Sequence, residues 1–144
     1  MKKVLISLLA LSLVCVGFSS CDNDKFGSTA DPSTQPIAGK TYRANSSTGD
    51  GYAQLTFHLN YRCTLVGKRD GQSPVPNTNF EWWMSPNDPE VVVRYIQGAK
   101  NMETGEWLSG KTFLSGSYDA TTKTVTLSGE FDGEQATYTM KEVQ

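Results

Sequence analysis

The stretch Thr124-Val125-Thr126-Leu127-Ser128-Gly129-Glu130-Phe131-Asp132-Gly133-Glu134-Gln135-Ala136-Thr137-Tyr138-Thr139-Met140 alternates apolar and polar residues on either side of an Asp-Gly pair. Asp-Gly is a strong two-residue turn signal, because a type I′ turn needs positive φ at both central positions. With that loop Phe131 faces Glu134, Leu127 faces Tyr138 and Val125 faces Met140, while Thr126 meets Thr139 and Ser128 meets Thr137 on the other side. Apolar opposes apolar and hydroxyl opposes hydroxyl. A one-residue slip would mix the two faces, so the register is specified locally.

The same grammar extends toward the N-terminus. Residues 119–122 form a four-residue loop of turn-favouring chemistry. That loop sets Leu114 opposite Leu127, Gly116 opposite Val125, Ser115 opposite Thr126 and Ser117 opposite Thr124. Further upstream, a three-residue loop at 59–61 sets Phe57 opposite Cys63, Leu55 opposite Leu65 and His58 opposite Arg62, with Asn60 expected in the left-handed position. In all, strands are expected at about 38–45, 51–58, 62–68, 79–84, 90–97, 111–118, 123–131 and 134–143. No stretch of the body carries a 3.6-residue period. The fold class is therefore all-β: an antiparallel meander of about eight strands that must hide its apolar face and its edges. Closure into a small barrel does both, and a two-sheet sandwich is the alternative. Segments 69–78 and 98–110 are the long connections. The prolines at 74 and 76 argue against a central strand in the first.

The N-terminus has a different character. Met1-Lys2-Lys3 is a positive n-region, Val4 to Phe18 is an apolar run, and Ser19-Ser20 precedes Cys21. This is the layout of a secretory signal, and it is too short before Asp22 and Asp24 to span a bilayer. Gly17-Phe18-Ser19-Ser20-Cys21 resembles a bacterial lipobox, where a signal peptidase cuts between Ser20 and Cys21 and the cysteine is acylated. The resemblance implies residues 1–20 as a lipoprotein signal peptide, Cys21 as the lipid attachment site, and two or three acyl chains as a membrane anchor. Residues 21–37, rich in Gly, Ser, Thr and Pro, read as a flexible tether. Residues 38–144 form the domain.

Composition narrows the function classes. The 144 residues carry a formal net charge of −2, and removing Lys2 and Lys3 with the leader makes it −4. Such a surface does not favour phosphate backbones, so no nucleic-acid partner is expected. Loss of Cys15 and acylation of Cys21 leave one thiol, Cys63, in an apolar alternation. That is the position of a small buried hydrophobe. His58 is the single histidine, and its polar-face position opposite Arg62 suits a surface residue better than a general base. One histidine and one thiol make no zinc cluster, and the loop carboxylates lack calcium-loop spacing. No cofactor, metal or catalytic residue is assigned.

The aromatic residues Phe80, Trp82, Trp83, Tyr95 and Trp107 are the one group that could carry function. Alternation places Phe80, Trp82 and Met84 on one face and Trp83 on the other. Core packing accounts for most of them, since small barrels need bulky fillers. Trp82, Trp83, Tyr95 and Trp107 are the candidates for stacking on a sugar ring or an apolar ligand. The hairpin Leu55 to Cys63 and the run Gly116 to Leu127 resemble the small lipocalin-like barrels of Bacteroidota lipoproteins. That resemblance, together with Asp22, Asn23, Asp24 and Lys25 behind the cysteine, implies an outer-membrane lipoprotein facing the periplasm or the cell surface. The resemblance carries no activity across; the residues themselves, with no catalytic set and a group of aromatics, suggest a monomeric, non-catalytic domain that binds a small apolar or glycan-like ligand through its cavity or its Trp-bearing rim. An accessory or inhibitor-type protein acting through loops 69–78 and 98–110 is the alternative. Cys21→Ser is expected to abolish leader cleavage and shift the chain out of the membrane fraction, as read by mass and by fractionation of cells.

Overall fold

The computed structural model describes residues 14–15, 34–85, 89–131 and 134–143. Ser20, Cys21, most of the tether and the Asp132-Gly133 pair lie outside the described residues. Eight strands form the body: β1 Thr41–Asn45, β2 Tyr52–Phe57, β3 Arg62–Lys68, β4 Val75–Met84, β5 Glu90–Tyr95, β6 Thr112–Asp119, β7 Thr124–Phe131 and β8 Glu134–Glu142. Each pairs antiparallel with the next. β8 then pairs with β1 through Lys141 opposite Arg43 and Glu142 opposite Tyr42, so the sheet closes into a barrel. This is the architecture of a small lipocalin-like barrel, and the two-sheet sandwich is ruled out. Outside the barrel, the short strand Val14–Cys15 pairs antiparallel with Lys100–Asn101.

The meander assigns every connection to one of two poles. Residues 58–61 and 120–123 lie at the pole where residues 37–40 lead into β1, here the near pole. Residues 46–51, 69–74 and 96–111 lie at the far pole. At the near pole the incoming segment runs alongside the end of β2. Gly39 N donates to Phe57 O (2.6 Å) and Phe57 N donates to Lys40 O (3.0 Å). Ile37, placed at the end of the tether by composition, is fully buried in the core. The domain thus begins before residue 38, because burying one isoleucine outweighs the polar character of its neighbours.

Aromatic rings fill the interior. Tyr118, Tyr42, Phe57 and Trp82 form a chain of edge-to-face contacts with centroids 5.6–6.4 Å apart. Phe80 stacks on Phe113 at 4.7 Å and lies 4.9 Å from Tyr95. Such pairs add to plain area burial. Small residues occupy the closest approaches: a Cβ on Gly116 would sit 1.8 Å from Thr126 O across the β6–β7 ladder.

The C-terminal hairpin has the expected register at every pair, and β2–β3 places Phe57 opposite Cys63 and Leu55 opposite Leu65. Three local expectations are corrected. In β6–β7, Gly116 opposes Leu127 and Tyr118 opposes Val125, two residues away from the expected register. Asp119 precedes its turn rather than entering it: Oδ1 accepts from Thr121 N (2.8 Å), and Lys123 takes the left-handed conformation (φ 56°). A shift of two preserves the faces, so the apolar pattern could not detect it. In the 59–61 loop, Tyr61 is left-handed (φ 68°), while Asn60 Oδ1 accepts from Arg62 N (3.1 Å). Finally, β4 begins at Val75 and carries Pro76 opposite Val66, at its exposed far-pole end. Elsewhere the strand boundaries differ from expectation by three residues or fewer.

Two bulges reshape the wall. Between Cys63–Phe80 and Leu65–Asn77, Thr78 and Asn79 together face Thr64. Between Val93–Leu114 and Arg94–Thr112, Phe113 is the extra residue, which lets both Phe113 and Leu114 point inward and be buried.

Two outcomes follow from this core. Trp82→Ala is expected to cost about 3–5 kcal/mol in urea unfolding, the range for truncating a buried large aromatic. Burial is the main cause that pushes the phenols of Tyr42, Tyr95 and Tyr138 above their ordinary value of 10.0; Tyr118 and Glu142 add to it at Tyr42, and Glu106 at Tyr95. The unfolded chain would ionise these groups first, so stability is complete below about pH 10 and falls as pH rises beyond it. The share of the tyrosinate absorbance that comes from these three of the six tyrosines is expected to appear together with loss of the barrel's circular dichroism, rather than before it.

Candidate functional site

Trp82 and Tyr95 point inward. Trp82 is fully buried on β4 and holds the 58–61 loop from inside: its Nε1 donates to His58 O and its backbone N to Tyr61 O, both at 2.8 Å. Tyr95 is 5% exposed and packs against Phe80 and Phe113. These two are core residues, and the ligand role considered for them does not fit their burial. Trp83 faces outward, as alternation requires, and is partly buried opposite Val92 on the outer wall.

Trp107 behaves differently. It sits on the excursion 96–111 at the far pole, whose base is anchored and whose tip is open. Leu108 N donates to Ala99 O (2.9 Å), and Gly110 N donates to Tyr95 O (3.0 Å). Ile96, Ala99 and Leu108 are buried beneath, while Met102 and Trp107 are 63% and 61% exposed. Asn101 Oδ1 caps the turn by accepting from Glu103 N (2.9 Å). Lys100 Nζ stands 5.0 Å from the Trp107 ring centroid, a cation–π placement that holds one side of the ring. A large aromatic on a braced hairpin, with most of its surface in water, has a ring face available for stacking.

The neighbouring far-pole loops are tied together by two carboxylates that sequence reading did not single out. Asp70 accepts from Thr48 Oγ1 and Gly51 N, both at 2.7 Å, and these bonds, the hydroxyl's first, hold its carboxyl below the usual range. Asp50 pairs with Lys68 Nζ (2.6 Å) and accepts from Gly71 N (2.7 Å), and is lowered chiefly by the lysine. The two latches cross-link 46–51 to 69–71. Only the Asp, Thr, Ser and Gly content of both loops hinted at them. Val75, next to this latch at the start of β4, is 40% exposed.

Cys63 is a free, fully buried thiol, and burial pushes its pKa well above the ordinary thiol value. His58 is partly buried on the outer wall, its Nε2 2.8 Å from Thr64 Oγ1, and its N donates to Arg62 O (2.9 Å). Among the described residues no three His, Cys, Asp or Glu side chains gather as metal ligands. Among the described residues, too, no helix is long and apolar enough to cross a membrane. Comparison with protein-family models, curated proteins and solved structures finds no match to this chain.

Proposed function

We propose that this chain is a membrane-anchored lipoprotein of the Bacteroidota type. Its barrel is a non-catalytic binding module that takes an apolar or glycan-like ring on Trp107 at the far pole. One observation supports this most: residues 34–40 lead into the barrel at the near pole, while the braced, exposed Trp107 and Met102 stand at the opposite pole. An anchor at one end and a stacking surface at the other is the arrangement a tethered receptor needs. The interior supports the rim over an internal ligand, because Trp82 and Tyr95 are packed as core.

A second reading has its own support. Val75 and Met102 expose apolar side chains from the two long connections named above, at the same pole as Trp107. Such a surface suits a protein partner.

An immobilised glycan panel probed with the full chain in neutral detergent separates the two. Under the first, retention on at least one glycan is lost in Trp107→Ala, with unchanged melting temperature, and kept in Trp83→Ala. Absence of retention on every glycan would set the first aside in favour of the second.

A further inference from the structure

A separate feature lies on the barrel wall, away from Trp107. A surface depression of about 370 Å³ is lined by His58, Asn60, Arg62, Thr64 and Thr78 over the backbone of Cys63. Its origin is the bulge in β4. Where Thr78 and Asn79 together face Thr64, the ladder is interrupted and the Thr78 carbonyl is released toward solvent, where Arg62 Nη2 reaches it at 3.2 Å.

The charge balance here is unusual for an acidic protein. Arg62 stands opposite Glu81 across β3–β4, the partner that would normally neutralise it. Glu81 is taken by Arg94 on the next strand, whose Nε donates to it at 2.6 Å. Among the described residues no carboxylate lies within ion-pair distance of Arg62, and its Nε, shielded from water, meets no acceptor. Among the described residues no acidic side chain lines the depression. Thr64 Oγ1 orients the imidazole of His58 from one side (2.8 Å), and Trp82 Nε1 holds the His58 carbonyl from beneath (2.8 Å). A guanidinium with donors to spare, an oriented imidazole, an amide and two hydroxyls converge on one open space.

We infer that this depression is an oxyanion site: Arg62, with His58, Thr64 and Thr78, binds a phosphate or carboxylate group carried by a small ligand. Charge-assisted bonds to a planar guanidinium are the strong ones, and an arginine with no counter-ion among the described residues has them available. The site is independent of the far-pole platform, and its test leaves Trp107 untouched.

The test is titration of the isotope-labelled full chain, in neutral detergent, with inorganic phosphate and separately with glucuronate, read by NMR. Saturable shifts confined to His58, Arg62, Thr64 and Thr78 support the site. So does weakening by about tenfold or more in Arg62→Gln together with retention in Arg62→Lys, with amide spectra otherwise unchanged. Phosphate binding tighter than glucuronate assigns a phosphorylated ligand; the reverse order assigns a sugar acid. No saturable shift with either anion, shifts scattered over the surface lysines (an adventitious ion only), or equal binding by Arg62→Gln overturns the proposal.

Discussion

Antiparallel pairing of β8 with β1 is the constraint on which the rest of the molecule depends. It joins Arg43 to Lys141 and Tyr42 to Glu142, pairs 98 and 100 positions apart, and leaves the sheet without an edge. Closure also divides every strand's side chains into an inner and an outer set. Eight strands enclose a space just wide enough for side chains to fill. Tyr42, Phe57, Trp82 and Tyr118 meet edge to face across that space, and the Phe80–Tyr95–Phe113 group fills it toward the far pole. Aromatic residues committed to that packing are withdrawn from ligand chemistry. Recognition is left to the poles and to the outer wall.

Features with functional character arise where the regular ladder is interrupted. The β5–β6 bulge turns Phe113 into the core, and beside that strand the 96–111 excursion buries its base and raises Trp107 into solvent. The β3–β4 bulge frees a carbonyl, draws Arg62 to it, and opens a depression in the wall. In each case a single extra residue re-aims a side chain without breaking the barrel, which is the usual consequence of a bulge. The polar latches of Asp50 and Asp70 stiffen the far pole in the same economical way. Each carboxylate accepts bonds from a neighbouring loop, so the loops behave as one unit.

Much of the fold was legible in the residues because its determinants are local. Period-2 alternation named the strands, and turn chemistry set the register of the C-terminal hairpin and of the hairpin around 59–61. Both signals act over a few positions. Alternation cannot distinguish registers two apart, so the β6–β7 pairing was settled by Asp119, whose side chain caps the turn from outside it. Nor could local composition see Ile37 in the core, or Val75 and Pro76 within a strand, since both outcomes depend on what the distant chain packs against them.

The candidate site divides along the same line. Sequence alone determined an apolar N-terminal run followed by a cysteine, an all-β body, a buried Cys63, an outward Trp83 and a short list of aromatics. Only the tertiary structure decided that Trp82 and Tyr95 are core while Trp107 is exposed, and that Arg62 has no counter-ion among the described residues because Arg94 holds Glu81. The reason is physical. Which face a residue occupies follows from its neighbours in the chain, whereas exposure and charge pairing follow from closure, which brings together groups that no short window of sequence contains.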